Sequence, residues 1–259
     1  MNTNRFTHRN SYSGSNPHPA QTALTKLANA VHPYKWQSKK RQSRENSLSG
    51  ANAEPGSTRS EPTALVRQKA LAEARQGNYA LSIALFSHLI EREPGSANDY
   101  SNRGLVYFQD GQSEAALADY NRAIELNPQL DSAYNNRANY FAAQGQFLEA
   151  VLDYDVALDL NPTNIRAWIN QGITFRELEM YERAIESFEL ALCLGRLEGH
   201  IYAERGRTYH LRGDWNCAVA DYYRALTELP TVSVYASDPS VHLRLQVESW
   251  LDELMSPLR

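Results

Sequence analysis

Few side chains in this 259-residue sequence could do chemistry alone. Of its seven histidines only His200 and His210 fall in one helical stretch. Their separation of ten residues is nearly three helical turns, too far for shared ligation of one metal ion. Cys193 and Cys217 have no neighbouring histidine to draw off a thiol proton, so they read as buried small hydrophobes rather than nucleophiles. Carboxylates such as Asp153 and Asp155 abound, but none is paired into an acid/base couple. Phosphate-cradling glycine loops, paired-cysteine motifs, zinc-protease helices and serine elbows do not occur. The sequence predicts no catalytic residue, no metal site and no cofactor.

More informative are side chains that recur together. Arg103 stands sixteen residues before Asp119, Arg137 before Asp153, and Arg205 before Asp221. Where the arginine becomes Gln171, the aspartate becomes Ser187, so both charges vanish at once. Such covariation predicts ion pairs that tie two helices together, with a structural role. Amides recur as well: Asn102, Asn136 and Asn170 are spaced by 34 residues, flanked by Asn135 and Asn139.

The same period runs through the body. Pro94, Pro128, Pro162 and Pro230 are 34, 34 and 68 residues apart, with Arg196 where the absent proline would stand. Five units follow without insertion, 63–96, 97–130, 131–164, 165–198 and 199–232, the last running just past Pro230. Their eighth places read Ala70, Gly104, Ala138, Gly172 and Gly206; their twenty-fourth read Phe86, Tyr120, Tyr154, Phe188 and Tyr222. A turn signal sits mid-unit at Gly77, Gly111, Gly145 and Gly213, so each unit folds as two antiparallel helices about its fifteenth place. Slots eight and twenty-four are then about equally far from the turn and meet, a small residue admitting a ring between close backbones. The unit-ending prolines stop the second helices. After Pro230, Ser237-Asp238-Pro239 starts a further helix over 237–255, with Leu243, Val247, Trp250, Leu251 and Leu254 on one stripe that closes the last hairpin.

This pattern, fullest in Ala133 to Ala138 with Ala150, Tyr154, Ala157 and Pro162, resembles the tetratricopeptide repeat over residues 63 to about 230. Its Tyr-x-Asn-Arg style is similar to that of cyanobacterial and plastid members. The resemblance implies an all-α, right-handed α-solenoid of five hairpins plus a C-terminal capping helix, acting as a non-catalytic adaptor. It also implies that slots two, five, six, nine, twelve and thirteen face a concave groove holding an extended segment of a partner protein. Asn102, Asn135, Asn136, Asn139 and Asn170 would pair with that segment's peptide groups, an amide being both donor and acceptor. Arg166, Arg176 and Arg207 would favour acidic residues in the same ligand. The carboxylate clamp for chaperone tails is not matched, since Ser132, His200 and Glu204 stand where its polar and basic residues belong.

Composition sets the remaining bounds. The sequence lacks an apolar run long enough for a membrane helix and an N-terminal hydrophobic leader, and two cysteines cannot build a disulfide framework. A cytoplasmic protein is expected, with no integral membrane association. Residues 1–62 carry nine basic side chains against three acidic, while the remainder is acidic. Rich in Ser, Asn, Gln and Pro, this basic arm is expected to be disordered, apart from an amphipathic helix at 20–32 marked by Ala20, Ala23, Leu24, Leu27, Ala28 and Val31. Its Arg/Ser bias also allows a plastid transit signal, and the resemblance to cyanobacterial and plastid members implies, as an alternative function, an assembly or stability factor for a larger, photosynthetic complex. Lys39-Lys40-Arg41 with Arg44 would attract RNA, but lacks interleaved aromatics for stacking.

Overall fold

A computed structural model describes residues 62–231 and 238–256, every regular element among them an α-helix. The basic arm and its segment 20–32 therefore lie outside the described residues, and so does Ser237. The helices are α1 (Thr63–Arg75), α2 (Tyr79–Arg92), α3 (Ala97–Gln109), α4 (Ser113–Leu126), α5 (Asp131–Ala143) and α6 (Phe147–Leu160). They continue with α7 (Ile165–Glu177), α8 (Tyr181–Cys193), α9 (Glu198–Arg212), α10 (Trp215–Glu228) and α11 (Pro239–Met255). Consecutive odd and even helices pack as hairpins, and each second helix packs on the first helix of the next hairpin. The result is a five-hairpin solenoid with α11 resting on α9 and α10.

The seam of the stack is built from the recurring small residues and rings. Phe86, Tyr120, Tyr154, Phe188 and Tyr222 are all fully buried, one per hairpin. A Cβ added at Gly104, Gly172 or Gly206 would lie 2.8, 2.7 or 2.8 Å from the ring of Tyr120, Phe188 or Tyr222. Those distances are below van der Waals contact, so the helices of these hairpins approach on the strength of a missing methyl. Truncating one such ring to Ala would cost about 3–5 kcal/mol.

The turns obey the same period, with one departure. Gly77, Gly111, Gly145 and Gly213 all have positive φ, as a tight reversal requires. In unit four the place is taken by Glu179, held at φ 59°, where a side chain costs about 1–2 kcal/mol. That unit also lacks its closing proline, and its chain passes to α9 through Gly195 and Leu197, both again at positive φ. The cysteines depart from expectation: Cys193 and Cys217 are exposed, because both stand on the outer side of second helices. At the C-terminal end Asp238 caps α11 by accepting from the Ser240 amide at 2.9 Å. Leu243 and Val247 are buried against the last hairpin, flanked by Trp250, Leu251 and Leu254.

Candidate functional site

The three Arg–Asp couples form two-pronged bonds between the helices of their hairpins. Arg103 Nε and Nη2 donate to Asp119 at 2.7 and 2.8 Å, and Arg137 to Asp153 at 2.7 and 2.8 Å. Arg205 does the same to Asp221 at 2.7 and 3.0 Å. In the uncharged unit, Ser187 Oγ donates to Gln171 Oε1 at 3.0 Å instead. The same slot also reaches back sixteen residues, a link that sequence reading missed. Arg103 Nη1 donates to Ser87 at 3.0 Å, Arg137 Nη1 to Asn121 at 2.7 Å and Gln171 Nε2 to Asp155 at 2.7 Å; Arg205 lies 3.8 Å from Glu189. Slot seven thus joins its own second helix to the preceding one. Each of these guanidinium groups also lies over two rings of its own helix, as Arg137 does over Tyr134 and Phe141, both at 5.8 Å.

Slot six behaves differently from the expected open ladder of amides. Asn136 Nδ2 donates to Ser101 Oγ on the preceding first helix at 3.2 Å. Asn170 Nδ2 donates to Asn139 Oδ1 at 2.8 Å, and the same oxygen accepts from the Tyr154 hydroxyl at 2.6 Å. Asn139 and Asn170 are only 7% and 8% exposed, so this part of the ladder is closed into the seam and not open to a ligand. In unit five the slot holds Glu204, which accepts from Arg176 Nη1 at 2.6 Å. The back-bonding partner steps from slot five to nine to twelve along successive units, about one helical turn each time. Slots five, nine and twelve share one face of a helix, so each slot-six side chain takes its partner from the polar residues on that face of the preceding first helix, and a buried amide there must find one.

The basic end of the expected groove is altered as well. Arg176 is 7% exposed and neutralised by Glu204, with Glu177 at 3.9 Å. Arg207 lies under α11, 5.3 Å from the Trp250 ring centre, 3.7 Å from Glu253 and 3.2 Å from His210 Nδ1. Of the three arginines assigned to an acidic ligand, Arg166 alone is exposed. Asn102, Asn135 and Asn136 are half-buried, next to Leu105 and Phe108, although the Asn135 Oδ1 atom is buried and accepts no hydrogen bond.

Two clusters escaped sequence reading. Asp99, fully buried, accepts from Arg67 Nε and Nη2 at 2.6 and 2.7 Å and from Ser96 Oγ at 2.7 Å, joining the first two units. The available signal was slot three, which reads Leu65, Asp99, Ala133, Ala167 and Ile201, an acid among apolar residues. The second cluster is His210, whose Nδ1 also lies 3.2 Å from the Tyr222 hydroxyl. Burial, then the charge of Arg207, hold the His210 pKa below its ordinary value; burial does the same to His200. Among the described residues no group of three or more His, Cys, Asp or Glu is placed to hold a metal ion, and no helix is long and apolar enough to cross a membrane.

Residues 104–145 match a family model described as TPR repeat, and residues 135–199 one described as Tetratricopeptide repeat. No curated protein sequence matches. TTC0263, a thermophilic TPR protein in Thermus thermophilus, is 18% identical, with a TM-score of 0.61 over 73% of this chain and 99% of that one. Pseudomonas aeruginosa pilF is 18% identical, with a TM-score of 0.61 over 76% and 90%. MamA 41-end from Desulfovibrio magneticus RS-1 is 16% identical, with a TM-score of 0.57 over 65% and 95%. At these identities the likeness is one of fold. Residues 104–199, in units two to four, thus match tetratricopeptide repeats in sequence, and the hairpin stack is like that of solved repeat proteins in fold.

Proposed function

We propose that the protein is a non-catalytic scaffold whose first helices hold an extended segment of another protein. Tetratricopeptide repeats generally serve as protein-interaction scaffolds, and the fold is typically non-catalytic. The observation that carries the reading is the half-exposed set Asn102, Asn135 and Asn136 beside Leu105 and Phe108. Neutral amides can pair with peptide groups without selecting a sequence, while the apolar neighbours select side chains. An acidic stretch in the ligand would meet Arg166, since Arg176 and Arg207 are engaged by Glu204 and Glu253. In the assembly of a larger complex, the same face would hold the tail of one subunit.

The test is an array of extended peptides probed with the wild type and with Asn102, Asn135 and Asn136 replaced together by Ala. Three lost hydrogen-bonding groups at about 1 kcal/mol apiece weaken binding roughly 100-fold. An unchanged peptide profile from a variant that keeps its helical signal and melting temperature overturns the reading.

A further inference from the structure

The second helix of unit three departs from its neighbours on the outer side. Leu148, Leu152 and Val156 follow one another at one-turn intervals along α6 and are 68%, 66% and 37% exposed. The same slots hold Glu114, Ala118 and Arg122 in α4, and Glu182, Glu186 and Leu190 in α8, so the repeat itself does not demand this stripe. Aliphatic side chains left together in water mark an interaction surface. The rim is exposed and mostly acidic: Glu149, Asp155 and Asp159 on α6, with Glu182 and Glu186 at the matching slots of α8, against the nearby cation Arg183.

That rim argues about the occupant. A second copy docking through the same patch would set these carboxylates against each other, because an isologous contact pairs a surface with itself. The surface fits a helix with one apolar face and basic flanks, and the chain supplies a segment of that description. Between Pro19 and Pro33, Ala20, Ala23, Leu24, Leu27, Ala28 and Val31 recur at helical spacing. Residues 20–44 contain Lys26, Lys35, Lys39, Lys40, Arg41 and Arg44, and no Asp or Glu. A helix of about twelve residues is marginal alone in water and is stabilised by a surface that covers its apolar face. Reach is sufficient: about thirty residues separate Val31 from α1, and a flexible coil of that length spans about 30 Å. The third hairpin lies about 20 Å along the stack from the first, at roughly 10 Å per packed layer.

We propose that residues 20–31 dock as a helix across Leu148, Leu152 and Val156, with the basic residues of 26–44 facing the acidic rim. The test applies a carbodiimide, which joins a lysine amine to an adjacent carboxylate, to the full-length chain at physiological ionic strength. Isotopically heavy and light chains are mixed in equal amounts, and the linked peptides are read by mass spectrometry. Links from Lys26 or Lys35 to Glu149, Asp155, Asp159, Glu182 or Glu186, within one isotopic parent, are expected. Yields should fall about tenfold in both Leu148→Ser/Leu152→Ser and Leu24→Ser/Leu27→Ser. The first pair is exposed, so its melting temperature should not move. Heavy–light links would assign the stripe to a second copy and overturn the proposal. So would links that go to the first helices, yields that neither double variant changes, or no links at all.

Discussion

Grafting unit four's uncharged couple into unit three isolates the worth of the inter-helix ion pair. The perturbation is Arg137→Gln and Asp153→Ser, singly and together, which recreates the pair found at Gln171 and Ser187. The Asp153 side chain is 9% exposed and accepts both Arg137 prongs, so Arg137→Gln leaves a buried carboxylate uncompensated. Breaking such a pair from one side costs about 3 kcal/mol or more. Asp153→Ser costs less, about 2 kcal/mol, because Arg137 is 22% exposed and keeps its bond to Asn121. The ring contacts with Tyr134 and Phe141 are lost in every variant lacking Arg137 and cancel from the cycle. The double variant should be no worse than Asp153→Ser, a coupling of about 3 kcal/mol or more. Urea unfolding of the four proteins, fitted with nearest-neighbour coupling between hairpins, measures it. A double variant that costs the sum of the singles would show that the two helices are held by packing alone, and the reasoning would fall.

Other expectations follow from local chemistry. The Tyr120 hydroxyl is buried without a partner, because slot nine of its hairpin is Leu105 where unit three has Asn139; Tyr120→Phe should raise stability by about 1 kcal/mol. Tyr154→Phe should lower it by a similar amount, since Asn139 loses a donor, and the two melting temperatures must move in opposite directions. Glu179→Gly relieves a left-handed residue at the cost of chain entropy, a net gain of about 0.5–1 kcal/mol by urea midpoint; a loss would refute the strain. His210 and His200 have folded pKa values below the unfolded value, so the unfolded chain binds their protons more readily. Their stability contribution is complete above about pH 6.5 and is lost as pH falls toward the folded values, with Glu253 partly opposing the shift at His210. Thermal melts from about pH 8 to about pH 5 should show that decline, and His200→Asn/His210→Asn should flatten it.

The repeat was legible in sequence because its determinants are local and recur. Gly77, Gly111 and Gly145 mark reversals, and Gly104 with Tyr120 or Gly172 with Phe188 stand equally far from a turn, so one hairpin suffices to bring them together. The Arg–Asp partners were visible by the same logic, each pair lying within a unit and varying jointly at Gln171 and Ser187. What lies between units was not. The burial of Asn170 on Asn139, the neutralisation of Arg176 by Glu204 and the covering of Arg207 by Trp250 depend on which residues of separate units or of the closing helix come to face one another. A 34-residue period states that the units are alike and leaves their rotation open. How the units stack is set by side-chain packing across the whole seam, and that stacking decided which amides and arginines stayed at the surface.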